Sequence, residues 1–361
     1  TMNNKRWAWL LAVLAAFAML TASCGDDDET EAGGGASADG PLRVAIVAPS
    51  ASNDLAFSQS MVDGVANMST EVDVDITDGT FIVEDAAAAI RGYAEDGFDL
   101  VIAHGSQYGG PLQEIAPDYP DVTFAWGTAA DNFGLDNVFA YTVRSDEGGF
   151  VNGTVAAALN ESGVIGVVGP IEVGDAKLYV DGFAAGVASV NSDIEVNVNY
   201  IESFSDVALA AEAATSHIAN GADVLTGTAQ MVVGATGVAL EEGVAWFGTQ
   251  SNQTALGEEI VVASQVYHWE VILDDIVAAM EAGEAGSVMI ATLANGGLEI
   301  EFNDAYGLDG DVKAAAEATA AAIADGFRPR GKSIDRVPQD VQLGYWLSNH
   351  PTLRYVALPR K

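Results

Sequence analysis

From Leu42 to Gly326, short β-branched apolar runs alternate with longer amphipathic, alanine-rich stretches. Runs at 42–48, 72–77, 99–103, 122–126 and 138–143 predict five strands, and runs at 164–168, 195–200, 224–227, 245–248 and 260–265 predict five more. The stretches between them carry helical spacing. Over 55–67, Phe57, Met61 and Val65 recur at i, i+4 and i+8, behind the capping-type residues Ser52, Asn53 and Asp54. Strands alternating with amphipathic helices are the pattern of βαβ units, so the fold class is α/β with parallel sheets.

The two sets of strands echo each other. Gly97–Gln107 (GFDLVIAHGSQ) is similar to Gly221–Gln230 (GADVLTGTAQ), and Trp126-Gly127-Thr128 to Phe247-Gly248-Thr249. Each echo is a strand running out into a small polar loop. In open α/β sheets ligands sit beyond the carboxyl ends of strands. Two lobes with matching loops there predict one cleft lined from both sides. The lobe segments expected are 42–143 with 266–293, and 144–265 with 294–326, with hinge crossovers near Val143, Gln265 and Ala294.

The two ends of the chain follow other rules. Lys5 and Arg6 precede an apolar run from Trp7 to Leu20 and the small residues Thr21-Ala22-Ser23. That is the layout of a secretory signal over 1–23, too short to span a bilayer comfortably. Cys24, the sole cysteine, follows directly, as the lipidated residue of a bacterial lipoprotein would, although Thr21 stands where such a signal prefers an aliphatic side chain. Residues 24–41 are rich in Gly, Ala and acids and read as a lipidated flexible tether. Residues 327–361 carry seven of the 14 basic residues, with Pro329, Pro338 and Pro351, and read as an atypical appended tail.

Composition narrows the function. Residues 25–326 hold 50 Asp and Glu against Arg43, Arg91, Arg144, Lys177 and Lys313. Such a surface repels phosphates, which argues against nucleic acid and anionic lipid as partners, and it suits a high-salt medium. With one cysteine the chain forms no intramolecular disulfide and depends on its core. There is no G-x-S-x-G elbow, H-E-x-x-H or Walker loop, and His104, His217, His268 and His350 are scattered. No catalytic residue, metal ligand set or cofactor is expected.

At Asn53–Ser60 (NDLAFSQS) the chain resembles the basic membrane protein (BMP) family of lipoproteins. The likeness continues through His104–Tyr108 (HGSQY), Ala116–Phe124 (APDYPDVTF), Gly148–Gly153 (GGFVNG), Tyr179–Gly186 (YVDGFAAG), Ser203–Asp206 (SFSD), Gly221–Val224 (GADV) and Ala263–Val266 (ASQV). The resemblance implies a type I periplasmic-binding fold, two Rossmann-like lobes joined by a multi-strand hinge. It also implies a lipid-anchored, extracytoplasmic solute-binding protein of an ABC importer. Such a protein is a monomer that binds a purine nucleoside or related heterocycle and delivers it to a membrane permease.

Site residues follow from the same resemblance. Phe57 matches the aromatic that stacks on the base, and equally fits core packing beside Met61. Asn53 and Asp54 can cap the helix, the more usual role, or reach ribose hydroxyls, and Tyr179 matches a second aromatic on the opposite lobe or packs in the core. Gln107 with Tyr108, and Gln230, head the paired loops, where the two amides equally fit a ligand contact or simple solvation; Trp126 and Trp269 supply further aromatics. Three positions depart from the family. Gln250 replaces a ribose-binding carboxylate, a lysine is missing around Tyr267-His268-Trp269, and the first strand runs into Ala48-Pro49-Ser50 where an aspartate is frequent. Aromatics without charged ribose contacts keep the cleft and loosen the nucleoside assignment. Other readings are a surface sensor of the same fold, a ligand-responsive transcription regulator, which would need a DNA-binding head, and an exported hydrolase.

Overall fold

The computed structural model describes residues 40–327. The expected signal, Cys24, almost all of the tether and the tail from 328 onward lie outside the described residues.

The first half runs β1 (Leu42–Val47), α1 (Phe57–Ala66), β2 (Val72–Thr77), α2 (Val83–Glu95), β3 (Leu100–His104), α3 (Gly109–Ile115), β4 (Thr123–Gly127) and β5 (Val138–Val143). The second runs α4 (Ser145–Leu159), β6 (Val164–Gly169), α5 (Gly174–Val190), β7 (Glu195–Tyr200), α6 (Val207–Ala219), β8 (Val224–Gly227), α7 (Val232–Glu242), β9 (Ala245–Gln250) and β10 (Val261–Tyr267). Then come α8 (Trp269–Glu281), β11 (Val288–Ala291), β12 (Leu298–Phe302) and α9 (Gly310–Ala324).

Two six-stranded sheets result, ordered β11-β5-β4-β3-β1-β2 and β12-β10-β9-β8-β6-β7. The first sheet is parallel throughout, and in the second only β12 is antiparallel, against β10. All ten predicted strands form, with ends shifted by no more than two residues. The hydropathy pattern does not announce β11 and β12. Both are short edge strands with mostly exposed or half-buried residues, so neither carries a continuous apolar run.

Central strands are apolar on both faces because helices cover both. Val44 and Ile46 of β1 pack with α1 and α8, while Ala45 and Val47 pack with α2 and α3. The second sheet divides its two faces in the same way. Helices α4 and α5 approach closely through glycines. A Cβ added at Gly153 would lie 2.1 Å from the Phe183 carbonyl oxygen, and one at Gly186 would lie 2.1 Å from that of Phe150. The chain passes between sheets after β5, after β10 and between β11 and β12.

Helix α1 begins where Asp54 directs it. The Asp54 carboxylate accepts the backbone N–H groups of Ala56, Ser58 and Gln59 at 2.9, 3.1 and 3.0 Å, and the Ser50 hydroxyl at 2.5 Å. Free N–H groups of a first turn need such an acceptor.

Candidate functional site

A cavity of about 380 Å³ opens between the carboxyl ends of the two sheets. One side brings Pro49, Phe57, Phe81, Gln107 and Thr128; the other brings Asp175, Phe204, Ala229, Gln230 and Gln250. The paired loops after β3 and β8 therefore meet across one cleft, the arrangement that the sequence echoes predict.

Phe57 forms its aromatic wall. Its ring stacks on the His104 imidazole at 3.8 Å between centroids, 14° from parallel. His104 is fully buried and held from both nitrogens, Nε2 2.9 Å from the Phe57 carbonyl oxygen and Nδ1 2.7 Å from the Tyr141 hydroxyl. A carbonyl only accepts, so Nε2 carries the proton and Nδ1 accepts from Tyr141. Burial pushes the imidazole down to about 3, which keeps it neutral as a platform. Phe57 is 8% exposed and belongs to none of the four apolar clusters that contain Met61, Val65 and the strands.

Asp175, at the start of α5, faces the opposite lobe. Its carboxylate accepts the Thr128 hydroxyl at 2.9 Å and lies 3.4 Å from the Tyr267 hydroxyl. Burial raises the carboxyl above its ordinary value, and the Thr128 hydrogen bond partly offsets that. Two further bonds join the lobes. The Ser251 hydroxyl donates to the Ala56 carbonyl at 2.8 Å, and Gln253 Nε2 donates to the Leu55 carbonyl at 3.2 Å.

Of the residues that the sequence singled out, Phe57, Gln107, Gln230 and Gln250 come together on the cleft wall. Asn53 is exposed in the turn before α1, and Asp54 is occupied by the cap just described. Four expected aromatics are corrected, because internal partners hold them in the core. Tyr108 donates to the Thr80 carbonyl at 2.8 Å, and burial raises its hydroxyl to about 12. Trp126 donates Nε1 to the Gly105 carbonyl at 3.1 Å and stacks on Phe133 at 4.8 Å. Tyr179 lies 2.7 Å from the Thr226 hydroxyl, and Trp269 donates Nε1 to Ser60 Oγ at 2.9 Å. A buried Tyr or Trp needs such a partner for its polar end, and each finds one inside a lobe.

Sequence reasoning named neither Phe81 nor Asp175 and left Thr128 and Phe204 inside motifs without a role. Thr128 had a signal, the second paired echo. Asp175 had none, since 50 acids in 25–326 hide any one of them. Among the described residues no group of His, Cys, Asp or Glu is disposed to hold a metal ion.

Residues 42–321 match the family described as ABC transporter substrate-binding protein PnrA-like. A purine-binding protein of Brucella abortus is 27% identical over 298 residues, covering 81% of this chain and 84% of the relative. The transcriptional activator protein med of Bacillus subtilis is 28% identical over 228 residues, covering 62% of this chain and 70% of the relative. Among solved structures, an ABC transporter solute-binding protein from Conexibacter woesei superposes with a TM-score of 0.67 at 25% identity. That superposition covers 80% of this chain and 99% of the other.

Proposed function

Because this chain belongs to the PnrA-like family of ABC transporter substrate-binding proteins, whose members bind solutes, we propose that it captures a purine or related aromatic heterocycle for import. The fold is that of the periplasmic solute-binding proteins, two α/β lobes with parallel-dominant sheets. The observation that carries the ligand class is the Phe57–His104 stack on the cleft wall. A flat, neutral, internally braced aromatic surface suits a flat ring. The amides of Gln107, Gln230 and Gln250 would orient its polar edge.

Capture would hold the lobes together across their three crossovers, with the Thr128–Asp175 bond over the ligand. The closed protein would then present the solute to an ABC permease. Solute-binding proteins of ABC transporters work outside the cytoplasm. Among the described residues no helix is long and apolar enough to cross a membrane, and we place the anchor at a lipidated Cys24.

A thermal-shift panel of purines, pyrimidines, their nucleosides, sugars and amino acids tests this reading. A ligand at a hundred times its Kd stabilises the fold by about 2.7 kcal/mol, a readily measured shift. Purines should give it. A shift with a sugar or amino acid, and none with any heterocycle, would overturn the ligand class and leave the family intact.

A second reading, a ligand-responsive regulator, is favoured by the relative named as a transcriptional activator. Uptake of radiolabelled purine by cells, lost on deletion of the gene, separates import from regulation.

A further inference from the structure

We infer that Gln250 sets the specificity of the cleft, its amide pairing with a ring edge that offers one N–H donor beside one acceptor. This rests on the heterocycle reading above.

Gln250 is buried to 3% exposure at the end of β9, yet its Oε1 finds no hydrogen-bond partner among the described residues. Its backbone is also left-handed, at φ 73°. Glycine adopts that conformation freely, and glutamine does so at a cost. One residue thus combines two local penalties on the wall of the cavity, where an unsatisfied buried acceptor needs a donor from elsewhere.

Its neighbours show the contrast. Gln253, three residues on and fully buried, uses its whole amide. Nε2 donates to the Leu55 and Thr249 carbonyls at 3.2 and 3.1 Å, and Oε1 accepts Trp246 Nε1 at 2.9 Å. Gln107 lies exposed at the cleft. Gln250 alone of these three is both buried and left with an unpaired acceptor.

Its position fixes what it can meet. The Ser251 hydroxyl, one residue along, donates to the carbonyl of Ala56, the residue before Phe57. Gln250 and Phe57 line the same cavity, so we take a ring lying on Phe57 to turn an edge toward Gln250. A carboxylate presents acceptors only and suits two neighbouring donors, such as a vicinal diol. An amide presents a donor and an acceptor together. Amidine and lactam edges of a purine have that pairing, as Gln does when it reads adenine.

The test is calorimetric titration of wild type, Gln250→Glu and Gln250→Leu with adenine, hypoxanthine, guanine and adenosine, with the melting temperature of each ligand-free protein as the folding check. Both substitutions keep the side-chain size, and Gln250→Leu removes an unpartnered polar group, so its melting temperature should not fall. Gln250→Leu should weaken adenine and hypoxanthine roughly 5- to 150-fold. Gln250→Glu should lose adenine similarly while favouring guanine, whose N1–H and 2-amino group are adjacent donors. The guanine-to-adenine preference should rise at least about tenfold. If the wild type binds bases and both variants keep its affinities and rank order, the inference is overturned and the heterocycle reading stands. If the wild type binds none of the four probes, the inference falls, and the heterocycle reading falls with it only when the wider thermal-shift panel also shows no heterocycle.

Discussion

Phe57 and His104 hold each other twice. The imidazole lies 3.8 Å beneath the phenyl ring, and its Nε2 hydrogen bonds at 2.9 Å to the carbonyl of the same Phe57. One side chain, 47 positions away, thus fixes both the backbone and the ring of the first residue of α1. Behind His104, Tyr141 and Trp269 brace the stack, Tyr141 through Nδ1 and Trp269 edge-on at 5.9 Å. The ring that faces the cleft is set by buried groups that never reach it.

Phe57→Ala should therefore affect binding more than folding. Stacking of a base on an aromatic ring is worth roughly 1–3 kcal/mol, so affinity for a purine should drop about 5- to 150-fold. Stability should fall by less than the roughly 3–5 kcal/mol typical of a core phenylalanine, since the ring lies outside the apolar clusters. Calorimetry and urea melts on the same samples read both quantities.

Acid should destabilise the protein through His104. The unfolded chain takes up a proton at the imidazole near pH 6.5, and the folded one not until about 3. The unfolded state therefore binds more protons within that window. The neutral histidine's contribution is full above 6.5 and is lost as pH falls toward 3, on the order of 5 kcal/mol in all. Raised carboxyls such as Asp175 act in the opposite direction, so the comparison must be with a variant. Melting temperatures between pH 7 and 4 should fall more steeply for wild type than for His104→Gln. Parallel profiles would show that His104 does not titrate this way.

Thr128→Val removes the hydroxyl that donates to Asp175 across the cleft at 2.9 Å. A hydrogen bond to a charged group contributes about 1.5–3 kcal/mol, and its loss removes a contact between the lobes and leaves the buried carboxylate with the Tyr267 hydroxyl. Ligand affinity should weaken about tenfold or more, and ligand-free stability should fall by no more than about 3 kcal/mol. An unchanged Kd would show that the contact does not hold the closed form.

Gly186→Ala places a methyl group 2.1 Å from the Phe150 carbonyl oxygen in the α4–α5 interface. Neither helix backbone can yield cheaply, so the change should cost about 1–3 kcal/mol and lower the melting temperature by several degrees. Gly237→Ala, on α7 with open space at that position, is the control that should cost nothing.

Cys24→Ala, expressed in a bacterial host, should move the protein from the membrane fraction to the soluble one. The basic, apolar and small-residue layout of 5–23 motivates this. A wild type that is already soluble would overturn the anchor.

Sequence alone determined the architecture, because a strand covered on both faces must be apolar at every position and a helix covered on one face must repeat its apolar residues. Those two periods, together with the alternating edge runs VDVDIT and EVNVNY, locate ten strands and place Phe57, Met61 and Val65 on one helical face. The paired echoes also located the cleft, since they mark loops at equivalent strand ends. Tertiary structure alone decided which aromatics reach it. Trp126, Tyr179 and Trp269 have the composition of a ring-binding site, yet each polar end is satisfied within a lobe. Periodicity reports burial without saying whether a ligand or the core does the burying. Thr128 and Asp175 lie 47 positions apart on opposite lobes, and their pairing depends on how the crossovers bring those lobes together. The open acceptor of Gln250 emerges only when its neighbours' hydrogen bonds are counted in three dimensions.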